Sequence, residues 1–397
     1  MNRDDPRNNA SAKVTSPASP ASRTNSANSA NPANPEIPAS AAPRRALSIA
    51  FGPLQWLAQD TQVTDIAVTC DGGVWADRGA GMLPCRIAVP FRSPPVVRDY
   101  AVRLCAQMGR RLDDACPIAD ASTADGIRVH AVIAPIVPQG ASISIRLPGS
   151  LPPTLESLCA SGMFPPAWFA LLDGLVRGRA TILITGGTGA GKTTLLKALL
   201  DRCEIGERIV SVEEVRELGE LAAVSGGNHV SLVAREANVE GAGAVGLPEL
   251  VKATLRMRPD RVVLGECRGE EIADLLRAFN SGHRGGATTL HADGVERVPA
   301  RLISLGLLAG LDARALGMLA QDAFDAVIHV ERTSAGRHIA QVGTLAVVHG
   351  ALVGVPLLAW DGVGRPLAIE GWQDFAARWL ASAATSWQDH SLKVVEA

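Results

Sequence analysis

A glycine-rich turn between a short apolar run and a helix-forming run constrains the fold of this chain more than any other feature. The text reads "TILIT", then "GGTGAGKT" at 186–193, then "TTLLKALL". The turn fits G-x-x-x-x-G-K-[ST], a loop whose backbone N–H groups curl around phosphate oxygens while the next helix adds its positive N-terminal end. A chance glycine turn is the alternative, but the flanking strand and helix favour a P-loop that binds a nucleoside triphosphate.

Two residues of this loop have specific expected roles in binding the nucleotide. Lys192 is expected to bridge the β- and γ-phosphates, and the Thr193 hydroxyl to hold Mg²⁺. ATP and Mg²⁺ are therefore the predicted ligands. The residues assigned to the nucleotide are Gly186, Gly187, Thr188, Gly189, Ala190, Gly191, Lys192, Thr193 and Thr194.

Two acidic groups follow predicted strands further along the chain. Glu266 ends "RVVLGE", at the strand end where ligands gather in open α/β sheets. We expect it to handle the metal or its waters, the alternative being a solvated strand-end acid. Glu213 and Glu214, in "VSVEEVRE", end another strand, and one of them could orient and deprotonate an attacking water. The sequence leaves open which of the two is the base.

The length of 397 residues predicts two folded domains and a tail. Residues 1–45, rich in Ala, Ser, Pro and Asn, have too little to bury and are expected to be disordered. Strand and helix patterns then predict a small α+β domain over 46–148, a Pro/Gly-rich linker over 149–168 and an α/β domain with a parallel sheet over 169–345. Residues 346–397 are assigned to a C-terminal extension.

The amino-acid composition indicates which ligands and which cellular compartment are expected for this chain. Lys plus Arg (38) nearly balances Asp plus Glu (40), and aromatic residues make up 4%, which argues against a nucleic-acid channel. Seven cysteines without a CxxC pair suit reduced thiols in a cytoplasm. The first residues lack the apolar core of a signal peptide, so export is not expected.

One uncharged segment, 338–360, is long enough to be tested as a membrane span. It contains Gln341, His349 and Pro356 and breaks at "HG", so a buried hairpin of two strands is favoured over a spanning helix. The tryptophans beyond it are expected to anchor a C-terminal helix on the core; they are Trp360, Trp372, Trp379 and Trp387.

Four boxes occur together in this chain: the P-loop, "SVEEVREL", "RMRPDRVVLGECRG" and "GHRGGATTLHA". In order and spacing they resemble the secretion-superfamily ATPases, the hexameric motors of type II and type IV secretion and of type IV pili. The likeness is greatest to the branch that drives Tad (tight adherence, Flp-type) pili, which is similar to the VirB-type ATPases. It covers roughly residues 50–345 and implies a RecA-like P-loop ATPase domain preceded by a smaller α+β N-terminal domain.

The residues alone leave several roles open for the histidine box. His283 and His291 could bind a metal, accept hydrogen bonds near a turn, or sense a phosphate, and a metal is disfavoured because only Asp293 offers itself as a third ligand. The resemblance implies that His291 senses the γ-phosphate and that His283 supports it. Departures from the family pattern include Glu214 where Asp is usual and Arg284 where an acid is common.

The resemblance also implies arginines that reach nucleotide across a subunit boundary. Arg128 and Arg146 match phosphate-clamping arginines of the N-terminal domain, and Arg256 and Arg258 match the pair before the second acidic strand. Each could instead be a surface arginine. The implied partners are further copies in a homohexamer and inner-membrane platform proteins, at the cytoplasmic face of that membrane and without nucleic acid. A hexameric nucleic-acid motor and a weakly hydrolysing nucleotide-binding regulator are the alternatives.

Overall fold

The residues that the structure describes form two β-sheets. This computed structural model describes residues 45–79, 81–123, 125–149, 153–219, 228–235, 237, 242–334, 336–380 and 393–394. The predicted tail, except for its last residue, and Trp387 lie outside the described residues.

The first sheet has six antiparallel strands in the order β3-β2-β1-β6-β5-β4. Side chains of β6 alternate between buried and exposed, so one face of the sheet packs on helix α2 while the other faces outward. This is the predicted small α+β domain. Its elements are α1 (Gln55–Gln59), β1 (Asp65–Val68), β2 (Val74–Asp77), β3 (Met82–Cys85), α2 (Pro94–Gln107), β4 (Ile118–Ser122), β5 (Arg128–Ile133) and β6 (Ala141–Arg146).

The second sheet has ten strands in the order β16-β15-β14-β13-β12-β7-β11-β10-β8-β9. The pairs from β12 to β9 are parallel, and β13, β14 and β15 pair antiparallel. Its strands are β7 (Ile182–Thr185), β8 (Ile209–Glu213), β9 (His229–Val233), β10 (Arg261–Leu264), β11 (Ala287–Leu290), β12 (Ala326–Thr333), β13 (Gly336–Val348), β14 (Ala351–Ala359), β15 (Leu367–Ala368) and β16 (Lys393–Val394).

Helices cover both faces of this sheet. The central strands β7, β10 and β11 are buried along their whole length, as their continuous apolar runs predict. One core contains α3, α4, α5 and α10, and the other contains α6 to α9. The helices are α3 (Leu155–Ala160), α4 (Phe169–Arg177), α5 (Lys192–Leu200), α6 (Leu247–Thr254), α7 (Glu271–Asn280), α8 (Val298–Leu308), α9 (Ala313–Ala323) and α10 (Trp372–Leu380).

The described residues that follow 345 continue the second sheet and its core. The expected boundary at 345/346 falls inside β13, which pairs with β14 along the hairpin predicted for 338–360. Trp372 and Trp379 of α10 are buried in the core with α4, which confirms the anchoring role predicted for them. No helix in the described part of the chain is long and apolar enough to cross a membrane.

The predicted linker also differs from the structure. Residues 155–160 form α3, which begins at a capping box of Thr154 and Ser157. Leu155 and Leu158 are buried in the larger core, so the second half of the connection is part of the ATPase-like domain. Prolines around the helix give this stretch the composition of a loop, and its two leucines are too few for a periodic pattern.

Candidate active site

The P-loop has the geometry that its glycines allow. Gly191 precedes α5 with φ 104°, and Gly186 has φ 151°, where a Cβ would lie 2.3 Å from the Val330 carbonyl oxygen. The first N–H groups of a helix have no partner within it. Among the described residues no side chain caps α5. These amides are therefore donors for an anion at the loop.

Lys192, the first residue of α5, is held inside the loop. Its Nζ donates to the carbonyl oxygens of Gly186 and Gly187, 3.0 Å from each, and lies 3.4 Å from His291 Nδ1. Burial lowers the pKa of Lys192, and the nearby carboxylate of Glu266 acts in the opposite direction. An ammonium group thus stands beside the amides that face the loop.

His291 and Glu266 meet Lys192 because parallel strands end at the same edge of the sheet. β11 pairs with β7 and β10 pairs with β11, so the residues that follow these strands lie beside the P-loop. His291 Nε2 lies 2.8 Å from Glu266 Oε1. Burial first, and then the Lys192 cation, lower the pKa of His291. Because Lys192 can only donate, Nδ1 is the acceptor in this contact, and the proton of the neutral ring is then on Nε2.

The two neighbouring acids at the end of β8 have different surroundings. Glu213 is 2% exposed, and its Oε1 accepts the N–H groups of Glu217 and Leu218, each at 2.8 Å. Burial raises the pKa of Glu213. Glu214 is exposed and lies 3.4 Å from Arg268 Nη1. Glu213 thus fixes the turn after β8, and Glu214 is an exposed partner of Arg268.

Glu217 is the acid of this box that touches the P-loop, and sequence reasoning did not single it out. The Thr193 hydroxyl donates to Glu217 Oε2 at 3.0 Å, and Arg128 Nη1 donates to Glu217 Oε1 at 2.5 Å. Arg128 begins β5, so this carboxylate joins the first sheet to the P-loop helix. The available signal was an acid placed one turn after Glu213 in "VEEVREL".

Arg268 is a second residue that sequence reasoning missed. Its Nε and Nη2 donate to Glu266 Oε2 at 2.9 and 2.6 Å. A cleft of about 770 Å³ opens here between the two sheets. Arg128 and Arg146 line it together with Glu266 and Arg268, and Arg146 pairs with Asp65 at 3.1 Å.

Three predicted site residues lie at the opposite edge of the sheet. His283 precedes β11, and Arg256 and Arg258 precede β10, so all three are at the amino ends of strands whose carboxyl ends carry the P-loop site. Arg256 and Arg258 are exposed. Within one chain His283 is therefore separated from His291 by the length of β11, and the two histidines do not ligate one ion.

The residues present fit a triphosphate with Mg²⁺. The uncapped start of α5 and Lys192 supply donors and positive charge for phosphate oxygens. The Thr193 hydroxyl and the carboxylates of Glu217 and Glu266 are the oxygen ligands that Mg²⁺ prefers. Bound Mg²⁺ would neutralise phosphate charge.

Fold and site together define a RecA-like P-loop domain preceded by a smaller α+β domain. The chain belongs to the type II/IV secretion system protein family, whose model matches residues 51–342. That range agrees with the region in which the boxes resemble the secretion ATPases.

The chain is also similar to individual proteins. The chain is 43% identical over 311 residues, 77% of this chain and 87% of the relative, to a Mycobacterium tuberculosis protein provisionally named a conjugal transfer protein. It is 29% identical over 344 residues to the type IV secretion system protein VirB11 of Brucella suis, covering 77% of this chain and 92% of that one. The ATPase DotB of Legionella pneumophila has the same fold, with a TM-score of 0.50, 18% identity and coverage of 77% of this chain and 84% of that chain.

Proposed function

We propose that this chain is an ATPase motor that hydrolyses ATP to drive protein secretion or pilus assembly. The observation that carries the proposal is the row of contacts from Lys192 through His291 to Glu266 at the mouth of the P-loop. A donor for phosphate, a neutral imidazole and a carboxylate stand in sequence there, as a site that cleaves a terminal phosphate and responds to its loss requires.

The proposed roles follow from these contacts. Lys192 and the amides of α5 bind the phosphates, and Thr193, Glu217 and Glu266 hold Mg²⁺ and its waters. Arg268 holds Glu266 Oε2, and Glu266 Oε1, which has no hydrogen bond among the described residues, is positioned beside His291 to accept a proton from the attacking water. His291 senses the γ-phosphate, because its ring lies between Lys192 and Glu266 and both contacts change when that phosphate leaves.

The motor step is proposed to involve the cleft between the sheets. Arg128 reaches the P-loop domain through Glu217, and Arg146 lines the same cleft. Loss of the γ-phosphate would alter these contacts and let the smaller domain move. Because His283, Arg256 and Arg258 face away from the P-loop of their own chain, they are proposed to act on the nucleotide of a neighbouring copy in a homohexamer.

The cellular partner is proposed from the relatives. Their names refer to conjugal transfer and type IV secretion, and the boxes of this chain are most like those of Tad pilus motors. We propose that the hexamer works at the cytoplasmic face of the inner membrane on platform proteins of such a system. The near-neutral charge and few aromatics support a motor that does not track nucleic acid.

Two variants and one control test the proposal. Lys192→Ala should abolish the heat of Mg-ATP binding in calorimetry, because it removes the cation of the loop. Glu266→Gln should still bind Mg-ATP while its hydrolysis rate falls by about a hundredfold or more. Glu270→Gln, an exposed acid one turn further on, should behave like the parent protein.

The proposal is rejected if the parent protein binds no Mg-ATP, or if Glu266→Gln turns over at the parent rate. Stimulation by single-stranded DNA would instead favour the nucleic-acid motor.

A further inference from the structure

The hairpin of β12 and β13 extends past the end of the sheet and lies against the P-loop. β12 pairs in parallel with β7 up to Thr185, and its next residues continue beside the loop, where Val330 approaches Gly186. The hairpin tip carries Arg332 and Arg337, both exposed. No sequence motif drew attention to either residue.

Both guanidinium groups lie at the outer side of the loop. Arg337 Nε donates to the Gly189 carbonyl oxygen at 2.9 Å. Arg332 Nη1 would lie 3.5 Å from a Cβ built on Gly189. Two cations therefore flank the same glycine of the phosphate-binding loop.

The register of the hairpin places two positive charges side by side, and their repulsion costs free energy unless an anion lies between them. Arg332 and Arg337 are direct cross-strand partners, and like charges in such positions destabilise a sheet. Neither arginine has an ion pair with a carboxylate of the described residues. Neighbouring Glu331 is instead directed to His329, at 3.3 Å. An anion bound between the two guanidinium groups would turn this repulsion into attraction.

The order of the strands in the second sheet indicates which part of a bound nucleotide would supply this anion. β12 lies on one side of β7, whereas β11 and β10, which carry His291 and Glu266, lie on the other. His291 and Glu266, the residues proposed to act at the terminal phosphate, lie on that second side, and Lys192 Nζ is 3.4 Å from His291 Nδ1, so the terminal phosphate is assigned to that side. The hairpin side faces the part of the phosphate chain nearer to the nucleoside, which ATP and ADP share.

We propose that Arg332 and Arg337 form a cationic rim that binds the phosphates common to ATP and ADP from the side of the loop opposite His291. This inference rests on the proposed function only in requiring that the P-loop bind nucleotide. The rim holds substrate and product alike, whereas His291 distinguishes them.

The test measures the Kd of Mg-ATP and Mg-ADP by calorimetry for Arg332→Gln, Arg337→Gln and Arg337→Lys in the full chain. Each Gln variant should raise both Kd values by the same factor, about threefold to tenfold for a solvent-accessible charged contact. It should also reduce the dependence of Kd on salt concentration. Arg337→Lys should lose less than Arg337→Gln, and Arg314→Gln, an exposed arginine of α9, should match the parent protein.

Arg332→Gln is the decisive variant. Arg337 bonds to the loop itself, so a purely structural role would affect Arg337→Gln and leave Arg332→Gln with parent affinity and parent salt dependence. That result overturns the rim, as does a change confined to ATP. A parent protein that binds neither nucleotide refutes the proposed function instead, so the two failures are distinguishable.

Discussion

At the scale of single residues, the acidic box shows where sequence reasoning stops. Glu213 and Glu214 are adjacent and chemically equivalent in the text, but the structure buries Glu213, the last residue of the fully buried strand β8, and exposes Glu214, which follows the strand. Glu217 reaches Thr193 only because Glu213 holds the turn that carries it. The P-loop residues and Glu266 were predictable because their positions follow from a local strand, turn and helix. The role of Glu217 depends on a turn that a sequence pattern does not show.

The burial of Glu213 predicts how the stability of the folded protein depends on pH. Since burial raises its pKa, the folded protein holds the proton more tightly than the unfolded chain, and stability is lost as pH rises from the usual value of 4.5 through the folded value. Glu213→Gln keeps an Oε1 acceptor for the two N–H groups and removes the buried charge. Its urea midpoint should therefore exceed that of the parent at about pH 7.5, with the gap closing towards about pH 4.5.

The matched variant is Glu213→Ala, which leaves the two N–H groups without their acceptor. It should be less stable than the parent by about 1–3 kcal/mol. A Glu213→Gln midpoint below that of the parent at every pH would show that the ionised carboxylate stabilises the turn.

At the scale of elements, strands with local signals were predictable and those defined by distant partners were not. The hairpin of β13 and β14 follows from an uncharged segment with a turn at its centre. Its place as part of the main sheet depends on pairing with β12, which no local pattern reveals. Likewise α3 is defined by packing on α5 more than by its own short sequence.

The contact between α4 and α10 gives a prediction at this scale. A Cβ on Gly174 of α4 would lie 2.1 Å from the Trp379 carbonyl oxygen, so Gly174→Ala must displace α10. Unfolding free energy should fall by about 1–3 kcal/mol despite the better helix propensity of alanine. Urea unfolding followed by tryptophan fluorescence measures the change.

Gly317 of α9 is the matched control, because its Cβ would meet Leu352 at an ordinary 3.5 Å. Gly317→Ala should be neutral or more stable by up to about 1 kcal/mol. Equal stability of Gly174→Ala and the parent would show that α10 can separate from α4 without cost.

At the scale of the whole molecule, the two edges of the parallel sheet separate the predicted site residues into two groups. The carboxyl edge carries Lys192, Glu266 and His291, and the amino edge carries His283 and the two arginines Arg256 and Arg258. The sequence predicted all of them from boxes in a fixed order. It could not show that the second group faces away, because order along a chain does not give the edge of the sheet.

This separation predicts complementation between copies. We consider mixed oligomers of two kinds of chain, one with Lys192→Ala and the other with both Arg256→Ala and Arg258→Ala. If Arg256 and Arg258 act on the nucleotide of a neighbouring copy, these mixed oligomers should hydrolyse ATP faster than oligomers of either variant alone. An intact P-loop then meets an intact arginine pair at some interfaces. Steady-state phosphate release at fixed total protein measures this.

The control mixture combines Lys192→Ala with Glu266→Gln, two lesions at the same edge. No subunit then has a complete site, so the rate should stay at the level of the separate variants. Equal behaviour of both mixtures would show that Arg256 and Arg258 do not act on the nucleotide of a neighbouring copy.

The bridge through Glu217 has a consequence for how the parts move. Its carboxylate has two oxygens, and each bonds to a different domain: one accepts from Thr193 in the helix after the P-loop, and the other accepts from Arg128 of the smaller domain. A change in the hydrogen bond from the Thr193 hydroxyl therefore acts on the same carboxylate that Arg128 holds. Ligand binding beside Thr193 and the position of the smaller domain are thus coupled through the Glu217 side chain.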